Sequence, residues 1–355
     1  MKRLFLILFL VAPLSGHYRV AVPGYQFRFP RDYFNHPQFQ TEWWYYTGNL
    51  RTPAGRPFGI ELTFFRLGIS PHHHPDSLWN VANVYMAHLA LSDIDGHRFL
   101  YHERLNRAGP GIAGVDFGCV WNGNWETIWK GNDQQLRAIA DDFDLHLRLR
   151  ALKPPVINGK DGLSQKAPGR GNASYYFSLP LLATAGSVTI QGETFPVSGT
   201  TWMDHEFFTE PSAGSIAGWD WFCLQLDNRT ELMFYRLRLK KGGISPYSSG
   251  TFVAADGHSR FLGVHDFSLT PSATWTSPHT HARYPVVWKI EVPSLRLQLE
   301  ATTPLDDQEL VSKNSFSPTY WEGAIRVKGE ESGKTAKGVG YLEMTGYAQA
   351  LKMNY

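Results

Sequence analysis

Trp202-Met203-Asp204-His205-Glu206-Phe207 gathers two carboxyls, an imidazole and an indole into one short, otherwise apolar stretch. On an extended strand the side chains alternate, so Trp202, Asp204 and Glu206 share one face and His205 takes the other. Two carboxyls beside an indole make an acid site. In an apolar enclosure a carboxyl pKa rises, so Asp204 can stay protonated near neutral pH and donate a proton. The competing reading is that Asp204 and His205 only hydrogen-bond loops where one domain meets the next. The catalytic candidates are therefore Asp204, Trp202, Glu206 and His205.

Glu42-Trp43-Trp44-Tyr45-Tyr46 offers aromatic pairs in the same alternating way. Trp43 and Tyr45 share one face, Trp44 and Tyr46 the other; one pair can line a cavity while the other packs. Arg66 and Arg236 sit alike in two apolar strands. Arg236 can pair with Asp220, Asp204 or Glu343, as a structural ion pair or as a substrate contact. Tyr175-Tyr176 and Tyr320-Trp321-Glu322 read as equivalent aromatic pairs. The binding candidates are Glu42, Trp43, Tyr45, Tyr175, Trp221, Arg236, Tyr320, Trp321 and Glu343. His72-His73-His74, between Pro71 and Pro75, points in several directions on extended backbone and reads as a solvated loop rather than a metal site. There is no phosphate-binding glycine loop, no Gly-x-Ser-x-Gly elbow and no His-Glu-x-x-His. Neither a cofactor nor a metal is expected, and a serine-hydrolase or zinc-protease reading lacks its residues.

The elements that must position these groups come twice. Glu61-Leu62-Thr63-Phe64-Phe65-Arg66-Leu67 returns as Glu231-Leu232-Met233-Phe234-Tyr235-Arg236-Leu237. Asp95-Gly96-His97 returns as Asp256-Gly257-His258, Trp43 with Leu50 as Trp219 with Leu226, and Trp129-Lys130 as Trp288-Lys289. Repeats of about 150 residues indicate a duplicated domain rather than a solenoid. Aromatic and β-branched runs at 43–50, 58–67, 84–92, 145–152, 187–191 and 231–239 predict strands, as does the alternation Leu295-Arg296-Leu297-Gln298-Leu299. The segment 133–140 is the one candidate for a short helix. The fold class expected is all-β, with antiparallel strands closing into two tandem barrels whose mouths hold an apolar ligand. The domains expected are 17–210 and 211–355, with the boundary in the Pro/Ser/Gly/Ala-rich stretch around 210–218, and 153–171 forms a long loop within the first.

A net charge of +2 with no basic block gives no support for nucleic-acid binding. Met1-Lys2-Arg3 and the apolar run to Ala12 have the form of a secretory signal, cleaved near residue 16 and too short to span a bilayer. An exported protein, periplasmic or extracellular, is expected. Cys119 and Cys223 can form a disulfide there, although two small apolar side chains is the simpler reading.

Over roughly residues 35–350 the chain resembles the AttH/carotenoid-hydratase family of double lipocalin-like proteins. The resemblance rests on Glu42-Trp43-Trp44-Tyr45-Tyr46-Thr47-Gly48, Phe64-Phe65-Arg66, and Pro154-Pro155 with Gly162-Leu163-Ser164-Gln165-Lys166. It continues through Trp202 to Phe207, Gly218-Trp219-Asp220-Trp221, Tyr320-Trp321-Glu322-Gly323 and Gly340-Tyr341-Leu342-Glu343. It implies two lipocalin-like (calycin) barrels in contact. It also implies acid chemistry on alkenes: in the hydratase branch the Asp of Tyr-Phe-Asp-His-Asn is the proposed proton donor, which corresponds to Asp204. Trp202 and Glu206 replace the Tyr and Asn of that motif, placing the chain nearer the AttH branch. The expected partner is an apolar small molecule (an isoprenoid, polyene or lipid), bound for hydration or cyclisation. Alternatives are a periplasmic carrier or chaperone, or an assembly protein serving membrane-associated export components.

Overall fold

The structure is a computed structural model and describes residues 17–69, 82–209, 214–313 and 318–350. The segment read as a signal and the His72-His73-His74 loop lie outside the described residues.

Strand content follows the alternation in the sequence. In the N-terminal half a meander runs through Thr41–Arg51 (β1), Pro57–Gly68 (β2), Asn83–Asp93 (β3) and Arg98–Arg107 (β4). Ala113–Asp116 (β5), Cys119–Asn122 (β6), Trp125–Lys130 (β7), Asp133–Ile139 (β8) and Phe143–Ala151 (β9) continue it. After the short Val156–Ile157 (β10) and Ser164–Gln165 (β11), a long hairpin of Ala173–Ile190 (β12) and Glu193–Phe208 (β13) ends this sheet. The second sheet opens with Ile216–Leu226 (β14), Glu231–Leu239 (β15), Ser249–Val253 (β16) and Ser259–Gly263 (β17). It closes with Ser268–Thr276 (β18), Arg283–Val292 (β19), Leu297–Thr302 (β20), Glu309–Leu310 (β21), Tyr320–Glu331 (β22) and Lys334–Thr345 (β23).

The strand orders are β4-β3-β2-β1-β13-β12-β9-β8-β7-β6-β5 and β17-β16-β15-β14-β23-β22-β20-β19-β18. In each, the first strand of the copy pairs with its last, and the two free ends are consecutive in the chain. Each sheet therefore curls into an all-β near-barrel. Across the first seam Arg104 Nη1 donates to the Asn122 carbonyl (2.9 Å) and Asn106 Nδ2 to Asn122 Oδ1 (2.6 Å). The duplicated Asp-Gly pairs fall in the matching tight turns, between β3 and β4 and between β16 and β17.

Two local expectations change. Segment 133–140 is strand β8, not a helix: Gln134, Leu136 and Ala138 point inward while Gln135 and Arg137 are exposed, a period of two. The Leu295–Leu299 alternation starts late. Pro293 begins a single 3-10 turn and Arg296 takes a left-handed conformation (φ 50°), so the strand begins at Leu297.

Along β1 the even residues Trp44 and Tyr46 enter the first barrel, joined by Leu62, Phe64, Phe177 and Met203. Phe222, Phe234, Trp288 and Trp321 fill the second. Both interiors are thus packed with their own side chains. The opposite strand faces meet each other. Tyr45, Tyr176, Trp202, Trp221, Cys223, Tyr235 and Tyr341 form a third buried cluster between the barrels. Gly59 permits this approach, since a Cβ there would lie 2.9 Å from the Ala324 Cβ. Both cysteines are free thiols; Cys223 lies in this layer, 3.7 Å from Thr47 Oγ1.

The long 153–171 segment is a strap from the first barrel onto the second. Lys153 Nζ donates to Glu231 Oε2 (2.6 Å) and to the Arg229 and Ala254 carbonyls (2.7 Å each). Thr251 donates to Asn158 Oδ1 (2.8 Å), and Ser164 Oγ lies 3.0 Å from the Tyr235 hydroxyl. Burial raises the Glu231 carboxyl, Lys153 pulls it part of the way back, and the result is about 7.

Candidate active site between the barrels

Alternation along β13 turns Trp202, Asp204 and Glu206 toward the second barrel and His205 into the first. Asp204 is 3% exposed and surrounded by aromatic rings. Trp202 Nε1 donates to its Oδ1 at 2.6 Å, Ser178 donates to the same oxygen, and the Tyr176 hydroxyl donates to Oδ2. Trp221 Nε1, from the other barrel, donates to that Tyr176 hydroxyl at 3.1 Å. Burial raises the Asp204 pKa, the hydrogen bonds from Ser178, Tyr176 and Trp202 lower it in part, and the result is about 7. A pKa near 7 suits the carboxyl to proton exchange near neutrality, and the two indoles of its hydrogen-bond network lie with centroids 6.4 Å apart.

Glu206 receives a hydrogen bond from Ser174 and an ion pair from Lys166 Nζ at 3.0 Å. Lys166 comes from the strap and stands 4.1 Å from the Tyr235 ring centroid, a cation–π position. Burial lowers the Lys166 pKa, but Glu206 and Tyr235 more than offset this, so it remains an ammonium.

Facing Asp204 is a second group of acids. The Tyr45 hydroxyl donates to Glu322 Oε1 at 2.7 Å, and Glu322 lies directly opposite Glu343 on the β22–β23 ladder. Glu61 reaches toward them from β2. Burial raises Glu343 to about 7 and Glu61 to about 8; it pushes Glu322 well above its ordinary range, with Glu343 and Glu61 adding repulsion. Tyr320 completes this side, its hydroxyl 2.6 Å from His88 Nδ1. Burial lowers His88 to about 4, so it is neutral.

Of the sequence-derived residues, Asp204, Trp202, Glu206, Trp43, Tyr45, Trp221, Tyr320 and Glu343 lie on the inter-barrel faces. Five do not join this site. His205 and Glu42 point into the first barrel: Glu42 Oε1 meets His36 Nδ1 (2.7 Å) and His205 Nε2 (2.8 Å), and Arg66 Nε donates to Oε2 (3.1 Å). Tyr175 lies on the Phe177 face of its strand, buried with Phe39 and Phe207 away from the inter-barrel layer, and its hydroxyl donates to the Val22 carbonyl (2.7 Å). Arg236 is inside the second barrel, paired with Asp220 (2.8 Å) over the Trp288 ring. Trp321 is also inside, its Nε1 donating to the Asp306 carbonyl (2.7 Å).

The error for Tyr175 is a one-residue slip. Ladder register sets Tyr176 opposite Glu206 and Tyr320 opposite Thr345, so Tyr176, not Tyr175, corresponds to Tyr320. Sequence reasoning also missed Ser178, Lys166 and Glu61. Lys166 sits in the Gly162–Lys166 motif and Glu61 opens the duplicated block, which were the available signals.

His36, Glu42 and His205 bring together three metal-type donor atoms within 4.8 Å, a set no spacing in the sequence announces. Their charges are already matched. Burial alone would lower His36 and raise Glu42, yet Glu42 and Asp32 raise His36, and His36, His205 and Arg66 hold Glu42 far below the carboxylate range. We read it as an ion network of Glu42 with His36 and Arg66 that braces the barrel, with His205 hydrogen-bonded to the same carboxylate and its Nδ1 left without a partner.

The model of the AttH-like family matches residues 20–347. The chain belongs to the AttH-like family. An AttH protein of Nitrosomonas europaea, known from a crystal structure, is 35% identical and superposes with a TM-score of 0.83, covering 93% of this chain and 99% of that one. Kievitone hydratase of Nectria haematococca shares the fold at 19% identity and a TM-score of 0.67, over 88% of this chain and 90% of its own. A dehydratase of Emericella nidulans is 21% identical over 244 residues, 67% of this chain, and the match spans 66% of the dehydratase. This AttH-like chain thus has a dehydratase among its sequence relatives and shares its fold with a hydratase. No helix among its described residues is long and apolar enough to cross a membrane.

Proposed function

We propose that this protein binds a long, mainly apolar molecule between its barrels and adds water to, or removes it from, a carbon–carbon double bond, with Asp204 as the proton donor. The observation that carries this reading is the Asp204 carboxyl itself: buried among rings, oriented by Trp202, Ser178 and Tyr176, and protonated to a large extent near pH 7. Proton transfer to an alkene carbon needs such an acid, and the cation that follows is stabilised by the π faces of Trp202 and Trp221. The family relationship to proteins named for hydration and dehydration supports the same chemistry.

The apolar length comes from the sheet. Glu206, Trp43, Phe65, Met86 and Leu105 form one continuous row across β13, β1, β2, β3 and β4. At ~4.8 Å per strand this row extends about 19 Å. It ends in a recess of about 370 Å³ lined by Leu67, Val84, Met86, Leu105 and Ile112. A chain of isoprenoid or polyene type lies along the row with one end in the recess and a double bond at Asp204. The charged and apolar start of the sequence supports action outside the cytoplasm.

The test is incubation of the purified full chain with lycopene, squalene, geranylgeraniol and kievitone in ¹⁸O-water, followed by mass spectrometry. Label entering one of them, and lost in Asp204→Asn, is the expected result. Wild-type protein that labels none overturns the catalytic reading. Tight binding without labelling would favour a carrier, which the predominantly apolar recess also suits.

A further inference from the structure

The duplication places a second set of carboxyls where the first barrel has Asp204. Trp43 of β1 matches Trp219 of β14, so Tyr45 matches Trp221. Asp204 is the ladder partner of Tyr45, and Glu343 is the ladder partner of Trp221. Asp204 and Glu343 are therefore counterparts. By the same register Ser178, opposite Asp204, corresponds to Glu322, opposite Glu343. The serine that orients the acid in one barrel is a second acid in the other.

Glu343 is hydrogen-bonded by Trp219, but its ladder partner Glu322 and the facing Glu61 are not fully satisfied within the protein. Glu322 Oε1 accepts from Tyr45, and Glu61 Oε1 from Thr63, but Glu322 Oε2 and Glu61 Oε2 are buried without a hydrogen-bond partner. Both residues are 0% exposed. Glu61 belongs to the other barrel and is aimed at the Glu322–Glu343 pair closely enough for each side to perturb the other's ionisation. Buried polar atoms in native proteins are almost always paired, so these oxygens call for a hydroxyl or water supplied with the ligand.

We propose that Glu322 and Glu343, faced by Glu61, form a second acid–base centre that holds the oxygen of the water added or lost, while Asp204 serves the carbon. This rests on the alkene reading above. In hydration the Asp204 proton forms the C–H bond with the π electrons, leaving a cation on the adjacent carbon. A water lone pair then forms the C–O bond, and the extra proton of that water passes to a carboxylate oxygen of the Glu322–Glu343 pair. Asp204 ends as a carboxylate and the pair gains one proton; exchange with solvent restores both. Dehydration runs the same steps backward, the pair protonating the departing hydroxyl and Asp204 taking the C–H proton. Burial raises the pKa of both acids, Glu343 to about 7 and Glu322 well above its ordinary range, so the pair can hold and release a proton near neutral pH.

The experiment separates the two centres by label. The four probes above are incubated in D₂O for deuterium at carbon and in ¹⁸O-water for oxygen. Wild type should introduce both labels and Asp204→Asn neither. Glu322→Gln and Glu343→Gln should keep deuterium exchange while ¹⁸O uptake falls roughly 100-fold, the scale of a lost acid–base group. Glu61→Gln leaves the ladder pair intact and serves as the second variant should the others fail to fold; it should also depress ¹⁸O uptake selectively. Wild-type ¹⁸O uptake in these variants, with Asp204→Asn inactive, overturns the second centre alone. Wild-type protein introducing neither label overturns both proposals.

Discussion

Asp204→Asn should make the protein more stable as pH rises, even as it removes activity. Burial moves the Asp204 pKa from 3.8 to about 7. Between these values the folded state holds a proton that the unfolded chain releases. Stability contributed by the protonated group is complete below pH 3.8 and is lost as pH climbs through 7. A difference of about 3 units at about 1.36 kcal/mol each sets an upper bound near 4 kcal/mol for the loss, shared with the neighbouring carboxyls. Asn keeps the shape and the acceptor oxygen but has no charge to bury. The variant should therefore be close to wild type below pH 4, gain on it steadily up to about pH 7, and hold that gain above it. At roughly 2–4 °C per kcal/mol for a domain of this size, the melting-point gap should widen by several degrees. Thermal unfolding of both proteins at half-unit pH steps measures it directly. A gap that does not change between pH 5 and 8 refutes the raised pKa. A gap that instead favours wild type at neutral pH and vanishes below pH 4 would mark Asp204 as an ordinary hydrogen-bonded carboxylate, and the acid mechanism would fail with it.

Turnover by a protonated Asp204 should fall about tenfold per pH unit above about 8, a limb visible in the rate against pH and absent when product is formed by a different acid. Glu42→Ala leaves His36, Arg66 and His205 facing one another without their shared carboxylate; urea unfolding should show a loss of about 3–5 kcal/mol, and a loss under 1 kcal/mol would mean the network braces nothing. Lys153→Met breaks the clamp on Glu231 but leaves a carboxyl that burial already holds partly protonated, so the cost should be only about 1–3 kcal/mol. Its main effect should be faster amide exchange over 156–166, and unchanged exchange there would show that the strap is held by other contacts.

Alternation explains what was legible in the sequence and also where reading it stopped. A period of two is a local property, so Trp202, Asp204 and Glu206 on one face of β13, and Trp43 and Tyr45 on one face of β1, followed from residue order alone. The same rule leaves open which face meets what. Glu42 and Arg236 share their strands with site residues yet point into barrel cores, because their partners Arg66 and Asp220 are there to match the charge. Pairing Tyr175 with Tyr320 moved a side chain to the wrong face by one position, an error that only the ladder register reveals. Lys166 could not be placed from periodicity, since a strap folds it back over Tyr235 and Glu206.

The site depends on a relationship that neither copy contains alone. Each barrel buries one apolar face within itself and is left with a second, partly polar face. Docking covers both outer faces at once, which is why Asp204, Glu322 and Glu61 lose water together although they come from different sheets. A carboxyl on a single barrel would be solvated and ordinary; it is the burial by the opposite barrel that raises its pKa. Duplication thus supplies more than a second core, because two copies meeting face to face turn ordinary surface acids into proton donors. Widening that contact should reverse the effect. Gly59→Val places a branched side chain where even a Cβ would lie 2.9 Å from Ala324. If the barrels part, water enters, the carboxyls return toward their ordinary pKa values, and the pH-dependent stability gap of Asp204→Asn should shrink in the Gly59→Val background. A gap of full size in that background would mean that each barrel perturbs its own acids, and the inter-barrel origin of the site would have to be abandoned.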